Sequence, residues 1–239
     1  MRLVICRVMA GICIMASLNA CAKPVVEVGL DSTLTILEPT RDDSYEQMRQ
    51  QWVIIGDIYQ KEPRLHVENN EYSLAIAPNK TPFTALRLIK AQLLATPFLT
   101  WTWRMAQETR SISSFRLVIG FIDEEIKNQL WDLSGLWGTN VPPFSRSLTI
   151  EWGASVSEKG SLRVSRQDQK GRSVARYVAR GGRENQGRWW REYIDLSLLH
   201  SKAWPHLDMR KTQIVFAGFV LNKHNSGLAS HIKKISLSR

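Results

Sequence analysis

Along most of this chain apolar and polar side chains alternate one for one. Leu99, Trp101, Trp103 and Met105 take turns with Thr100, Thr102 and Arg104, and Leu148, Ile150 and Trp152 with Thr149 and Glu151. A period of two sends successive side chains to opposite faces of a strand, so it predicts antiparallel sheets buried on one face. Apolar runs bounded by turn residues predict further strands over residues 52–55, 72–77, 83–91, 115–122, 174–179, 189–196, 214–221 and 232–237. About ten short strands without a long helical period imply an all-β fold, two packed antiparallel sheets in a jelly-roll-like sandwich. Two short segments read as helices. Residues 44–51 take Ser44 as a cap, and residues 123–131 open on Asp123-Glu124-Glu125 and space Ile126, Leu130 and Trp131 along one side, inside a long crossover ending at Pro142-Pro143.

The first twenty residues follow a different pattern. Arg2 and Arg7 precede the apolar stretch Val8-Met9-Ala10-Gly11-Ile12-Cys13-Ile14-Met15-Ala16, and no acid occurs before Glu27. That run falls short of the ~20 residues that span a bilayer and reads as a signal-peptide core. It ends in Leu18-Asn19-Ala20-Cys21, which resembles a bacterial lipobox, so Cys21 is the expected lipidation site and residues 21–44 a lipidated tether with a possible edge strand. The sandwich domain is expected over residues 45–239. The three cysteines are Cys6, Cys13 and Cys21, so residues 22–239 hold no thiol, and packing alone must stabilise them. Ala22 after the cysteine favours the outer membrane, periplasmic face, over retention at the inner one.

Charge is unevenly spread over a chain of net charge +10. Residues 159–191 hold ten basic side chains against two acidic ones, whereas residues 22–158 hold thirteen against seventeen. This basic block either keeps a hairpin solvated or receives a polyanion. In an envelope the polyanion is a lipid phosphate, a lipopolysaccharide core or an acidic glycan rather than nucleic acid. Adjacent Trp189 and Trp190 at its end must point to opposite faces of a strand. The expected binding set is therefore Arg176, Arg180, Arg183, Arg188, Trp189, Trp190 and Arg191, with an exposed Trp stacking on a sugar ring. Of the nine tryptophans, Trp52, Trp101, Trp103 and Trp152 sit on apolar faces and read as core.

Catalytic signals are sparse. HExxH, GxSxG, Walker, GxGxxG and cysteine metal spacings are absent, so no cofactor and no metal is called for. The five histidines, His66, His200, His206, His224 and His231, are expected on loops and strand ends. Glu151 faces away from Leu148, Ile150 and Trp152, but glycosidic cleavage needs a second carboxylate, which spacing does not name.

Four stretches occur in the order of a known pattern. Pro97-Phe98-Leu99-Thr100-Trp101-Thr102-Trp103-Arg104 resembles the P-x-L-x-W-x-W-R/K strand of an uncharacterised bacterial exported β-sandwich family. Ile150-Glu151-Trp152-Gly153-Ala154-Ser155, then Gly187-Arg188-Trp189 with Glu192, then Asn225-Ser226-Gly227 and a closing strand over residues 231–237 complete it. The resemblance implies a jelly-roll-like domain similar in outline to carbohydrate-binding modules and brings no activity with it. Lys223-His224 and Lys233-Lys234 stand where that family tends to carry acids.

The expected function is a lipid-anchored, non-catalytic binding module for a glycan or anionic envelope polymer. Two other readings stand beside it. One is a polysaccharide lyase or glycoside hydrolase drawing on Arg176, Tyr177, Arg180 and His200, and the other is an accessory subunit of an envelope export machine.

Overall fold

The computed structural model describes residues 23–41, 45–56, 63–77, 81–107, 115–123, 141–165, 172–222 and 229–239. The leader, Cys21, Ser44, Trp131, Trp137, His224, the 225–227 motif and the expected helix beyond Asp123 lie outside them. Among the described residues the elements run β1 (Val25–Glu27), β2 (Thr33–Leu37), α1 (Tyr45–Gln51), β3 (Val53–Gly56), β4 (Arg64–Glu68), β5 (Glu71–Ile76), β6 (Phe83–Gln92), β7 (Phe98–Arg104), β8 (Phe115–Asp123), β9 (Arg146–Gly153), β10 (Leu162–Ser165), β11 (Ser173–Gly181), β12 (Trp190–Asp195), α2 (Leu196–Ala203), β13 (Thr212–Leu221) and β14 (Ser230–Ser238).

The strands form two sheets that pack as a jelly-roll-like sandwich. An eight-stranded sheet has the order β1-β6-β13-β8-β9-β11-β10, with β3 also on β6, and a six-stranded sheet has the order β12-β7-β14-β5-β4, with β2 also on β14. The segment expected as a tether thus supplies a strand to each sheet. Two pairings depart from the expected antiparallel rule, since β1 runs parallel to β6 and β11 parallel to β9. The second follows from chain order: after β9 the chain forms the edge strand β10, and β11 returns antiparallel to β10 in the slot between them.

Strict alternation in β7 buries Leu99, Trp101 and Trp103 and leaves Phe98, Thr100, Thr102 and Arg104 half-buried on the outer side. Trp103 meets Trp101 edge-on at 5.4 Å and Trp152 of the opposite sheet at 5.7 Å, so three indoles join the layers. Strands β8 and β13 are apolar almost throughout because both their faces are covered. Their inner residues Leu117, Ile119, Phe121, Ile214 and Phe219 enter the main core. On the outer face of the larger sheet Leu86, Ile122, Val215 and Phe216 form a second cluster under Val141 and Phe144. The ring of Phe216 lies over Gly120, where a Cβ would sit 2.3 Å from it.

The expected strand over residues 189–196 stops one residue earlier and gives way to a helix. Asp195 caps α2 by accepting from the Leu198 N–H at 3.0 Å, and Leu196, Leu199, His200 and Ala203 face inward at helical spacing. His200 is therefore a buried helical residue rather than a loop residue, and His66 and His231 lie within β4 and β14. Trp204 also joins the core at 8% exposure.

Candidate functional site

The seven residues expected to bind together are divided among three surroundings. Arg176 projects, exposed, from the outer face of the larger sheet, while Arg183 and Arg188 are exposed on the connection between β11 and β12. Arg180 turns inward through a register shift in β11 and meets Glu192, with Nε 2.5 Å and Nη2 3.4 Å from the carboxylate oxygens. Glu192 also accepts from the Trp103 indole at 3.3 Å, and the Arg180 guanidinium lies 3.7 Å from the Trp190 ring centroid. Trp190 donates to the Asn185 carbonyl at 2.8 Å. Arg180 and Trp190 therefore serve the junction of the sheets, and the single continuous basic surface expected from the sequence is not formed. Tyr177, whose side chain packs against the core, has its pKa raised by burial and by the charge of Glu192.

Trp189 turns the other way, as adjacent strand residues must, onto the outer face of the smaller sheet. Its indole N–H donates to Glu68 Oε2 at 3.2 Å, and Arg104 Nη1 reaches the same oxygen at 2.7 Å. The Arg104 guanidinium lies 4.7 Å and the Lys233 ammonium 4.2 Å from its ring centroid, and Lys233 also pairs with Glu71. Hydrogen bonding from Trp189, together with Arg104, holds the Glu68 carboxyl below its usual range. His231 stacks edge-on against His66 at 4.7 Å, and burial followed by the charges of Arg104 and His66 brings its pKa down to about 4. Trp189 is thus already occupied by cations and fixed in place, so it is not the free stacking ring the sequence suggested.

A more exposed aromatic ring on the same face is Tyr193. In β12 the alternation sends Glu192 and Ile194 inward and Arg191, Tyr193 and Asp195 outward. Tyr193 is 61% exposed and stacks on Phe98 of β7 at 5.1 Å and 24°. Its row continues through Thr100 of β7 to Ser236 of β14, and Arg191 sits opposite Thr102 one pleat away. Arg188 and Arg191 have no acidic partner among the described residues. The outer face of the smaller sheet therefore offers a supported aromatic plane, the half-buried Thr100 and Thr102 and the guanidinium of Arg191, with Arg188 exposed on the connection that leads into β12. Tyr193 was legible in the same alternation that separated Trp189 from Trp190, but Phe98 beneath it becomes its neighbour only through strand pairing.

Glu151, the carboxylate considered for chemistry, is engaged by an arginine. Glu151 does face outward from β9, with Arg116 Nε 3.4 Å away. His200 packs against Phe121 at 5.4 Å and Trp204 at 5.0 Å, and burial, then the charge of Arg146, lowers its pKa to about 4. Among the described residues no group of three or more His, Cys, Asp or Glu is placed to hold a metal ion, and no helix is long and apolar enough to cross a membrane.

No family model and no curated protein matches this chain. Solved structures with a related chain path include the native family 12 xyloglucanase from Bacillus licheniformis, at 9% identity over 87% of this chain and 94% of that one, with a TM-score of 0.46. Another is the xyloglucanase domain of NopAA, a type three effector from Sinorhizobium fredii, at 10% identity over 78% and 93%, TM-score 0.42. A third is the family 11 carbohydrate-binding module from Clostridium thermocellum, at 8% identity over 90% and 97%, TM-score 0.39. At such identities no residue role passes from them to this chain.

Proposed function

We propose that this chain is a non-catalytic binding module for a glycan or anionic polymer of the bacterial envelope, held at the periplasmic face of the outer membrane by lipid on Cys21. The observation that supports this reading is the exposed Tyr193 stacked on Phe98. A ring fixed from beneath loses little freedom when a ligand covers its open face, and a sugar's C–H face suits an aromatic plane. Thr100 and Thr102 supply hydroxyl groups alongside, and Arg191, with Arg188 on the preceding connection, supplies charge for an acidic substituent.

Two energetic contributions are expected and can be separated by salt. Charges on an open surface are screened beyond about 8 Å at physiological ionic strength, whereas the ring contact is not. Titration of acidic and neutral envelope glycans at low and high salt should show that Tyr193→Ala removes the salt-resistant part of binding, a loss of ~1–3 kcal/mol. Replacing Arg188 and Arg191 by Ala should flatten the salt dependence. Intact folding with unchanged retention of every polymer in both variants would exclude this face as the binding surface. Membrane fractions should contain acylated Cys21, and Cys21→Ser should release the protein; a soluble, differently processed wild-type chain would exclude the anchor.

A further inference from the structure

The opposite side of the molecule carries a like-charge pair that the fold does not require. Arg163 of β10 and Arg176 of β11 stand directly across from each other in the antiparallel register, both exposed and neither with an acidic partner among the described residues. Directly opposed like charges destabilise a sheet. On the other side of Arg176 the same row continues to Thr149 of β9. One pleat along, Arg116 of β8 faces Glu151, and its Nε is buried without a hydrogen bond. Burial lowers the Arg116 pKa, Glu151 acts against that, and the charge of Arg176 adds to the lowering, so the two guanidiniums share one field. Glu158 lies beyond Glu151, over Gly153, and Lys159 follows it in the turn.

Three guanidiniums and one carboxylate on adjoining strands leave an excess of two positive charges. We propose that this patch of the larger sheet binds a dianionic oxyanion of the phosphomonoester class, bridged by Arg163 and Arg176 with the Thr149 hydroxyl beside it. Cross-strand neighbours have Cβ atoms about 4.5–5.5 Å apart, which lets two planar forks reach different oxygens of one tetrahedral group. A phosphomonoester carries about −1.5 to −2 at neutral pH, which matches the local excess, whereas a carboxylate neutralises half of it. The patch lies on the outer face of the other sheet from Tyr193 and does not depend on the glycan reading.

Calorimetric titration of the full chain with glucose 6-phosphate at pH 7.5 tests this. A single saturable site is expected, weakened about tenfold or more by Arg163→Ala and by Arg176→Ala, strengthened by Glu151→Gln and unchanged by Tyr193→Ala. Affinity should fall as the pH drops through about 6, where the ligand loses its second charge while the arginines keep theirs. Competition by inorganic phosphate identifies the phosphate itself as the recognised group. Binding confined to vesicles containing phosphatidic acid assigns the source of that group to a lipid headgroup. The proposal is overturned if no phosphate probe binds saturably, if acetate binds as tightly, or if Arg188→Ala weakens binding as much as Arg176→Ala. All the arginines substituted are exposed, so thermal midpoints should stay within the wild-type range and separate a binding loss from a folding loss.

Discussion

Arg180 and Glu192 meet where the two sheets come together, with side chains only 14% and 8% exposed. Such a pair contributes little net stability while intact, but an unpaired member is costly because its charge remains in poorly hydrated surroundings. Glu192→Gln should therefore destabilise the protein by about 3–5 kcal/mol in urea unfolding, and replacing both residues with apolar ones of similar volume should recover most of that loss. A cost below about 1 kcal/mol for the single change would mean that water reaches the pair. Alternation alone places Glu192 on the inward side, between Trp190 and Ile194. The identity of its partner depends on the register shift in β11, a backbone irregularity with no signature in residue type. For the same reason Arg180 reads from sequence as one more member of a basic surface.

Strand β13 shows how far an element can be understood from its own residues. Its apolar run over residues 214–221, read from the sequence as a strand, occupies both sides of it and is covered on both faces. It lies between β6 and β8, and the glycines in and beside it are explained by what approaches them. At Gly120 the obstacle is the Phe216 side chain, whereas at Gly218 a Cβ would come within 1.9 Å of the Ala85 carbonyl oxygen. Gly120→Ala should cost about 1–3 kcal/mol and be largely rescued by Phe216→Leu, because a side chain can yield. Gly218→Ala should be worse and gain nothing from the same second change, since backbone is in the way; equal rescue of both would contradict this packing. Helix α2 was missed, since the strand was carried to residue 196, although Asp195 followed by Leu196, Leu199, His200 and Ala203 carries a cap and a helical stripe. The strand signal of residues 189–194 runs into it without a break, and only the cap marks the boundary. The parallel pairing of β9 with β11 left no trace in the sequence, because the alternation of a strand records which of its faces is covered and not the direction of its neighbour.

At the scale of the whole molecule, two distant histidines share one effect. His200 inside the sandwich and His231 on the smaller sheet's outer face both have pKa values lowered to about 4, mainly by burial. A lowered folded pKa means that the unfolded chain binds more protons below the ordinary histidine range, so stability is complete above pH ~6.5 and declines as the pH falls toward 4. Each histidine adds up to about 1.4 kcal/mol per pH unit to that slope, with the His231 share reduced by solvent. Asp123, where burial is outweighed by Arg146 and Thr212, and Glu68 extend the decline to lower pH. Urea midpoints at pH 7, 5.5 and 4.5 should show the loss, and His200→Phe should remove a large share of it; a flat wild-type profile would contradict the neutral, buried imidazoles. The last described strand has a consequence of another kind. β14 pairs with β7, β5 and β2, so the centre of the smaller sheet is synthesised after every strand that flanks it. Until residue 238 has been made those neighbours lack their common partner, and β7 is paired on one side only, by β12. The smaller sheet therefore takes its final order only once its last-made strand is in place, and a ribosome-bound chain stalled before β14 is expected to be cleaved by protease within β5 and β7.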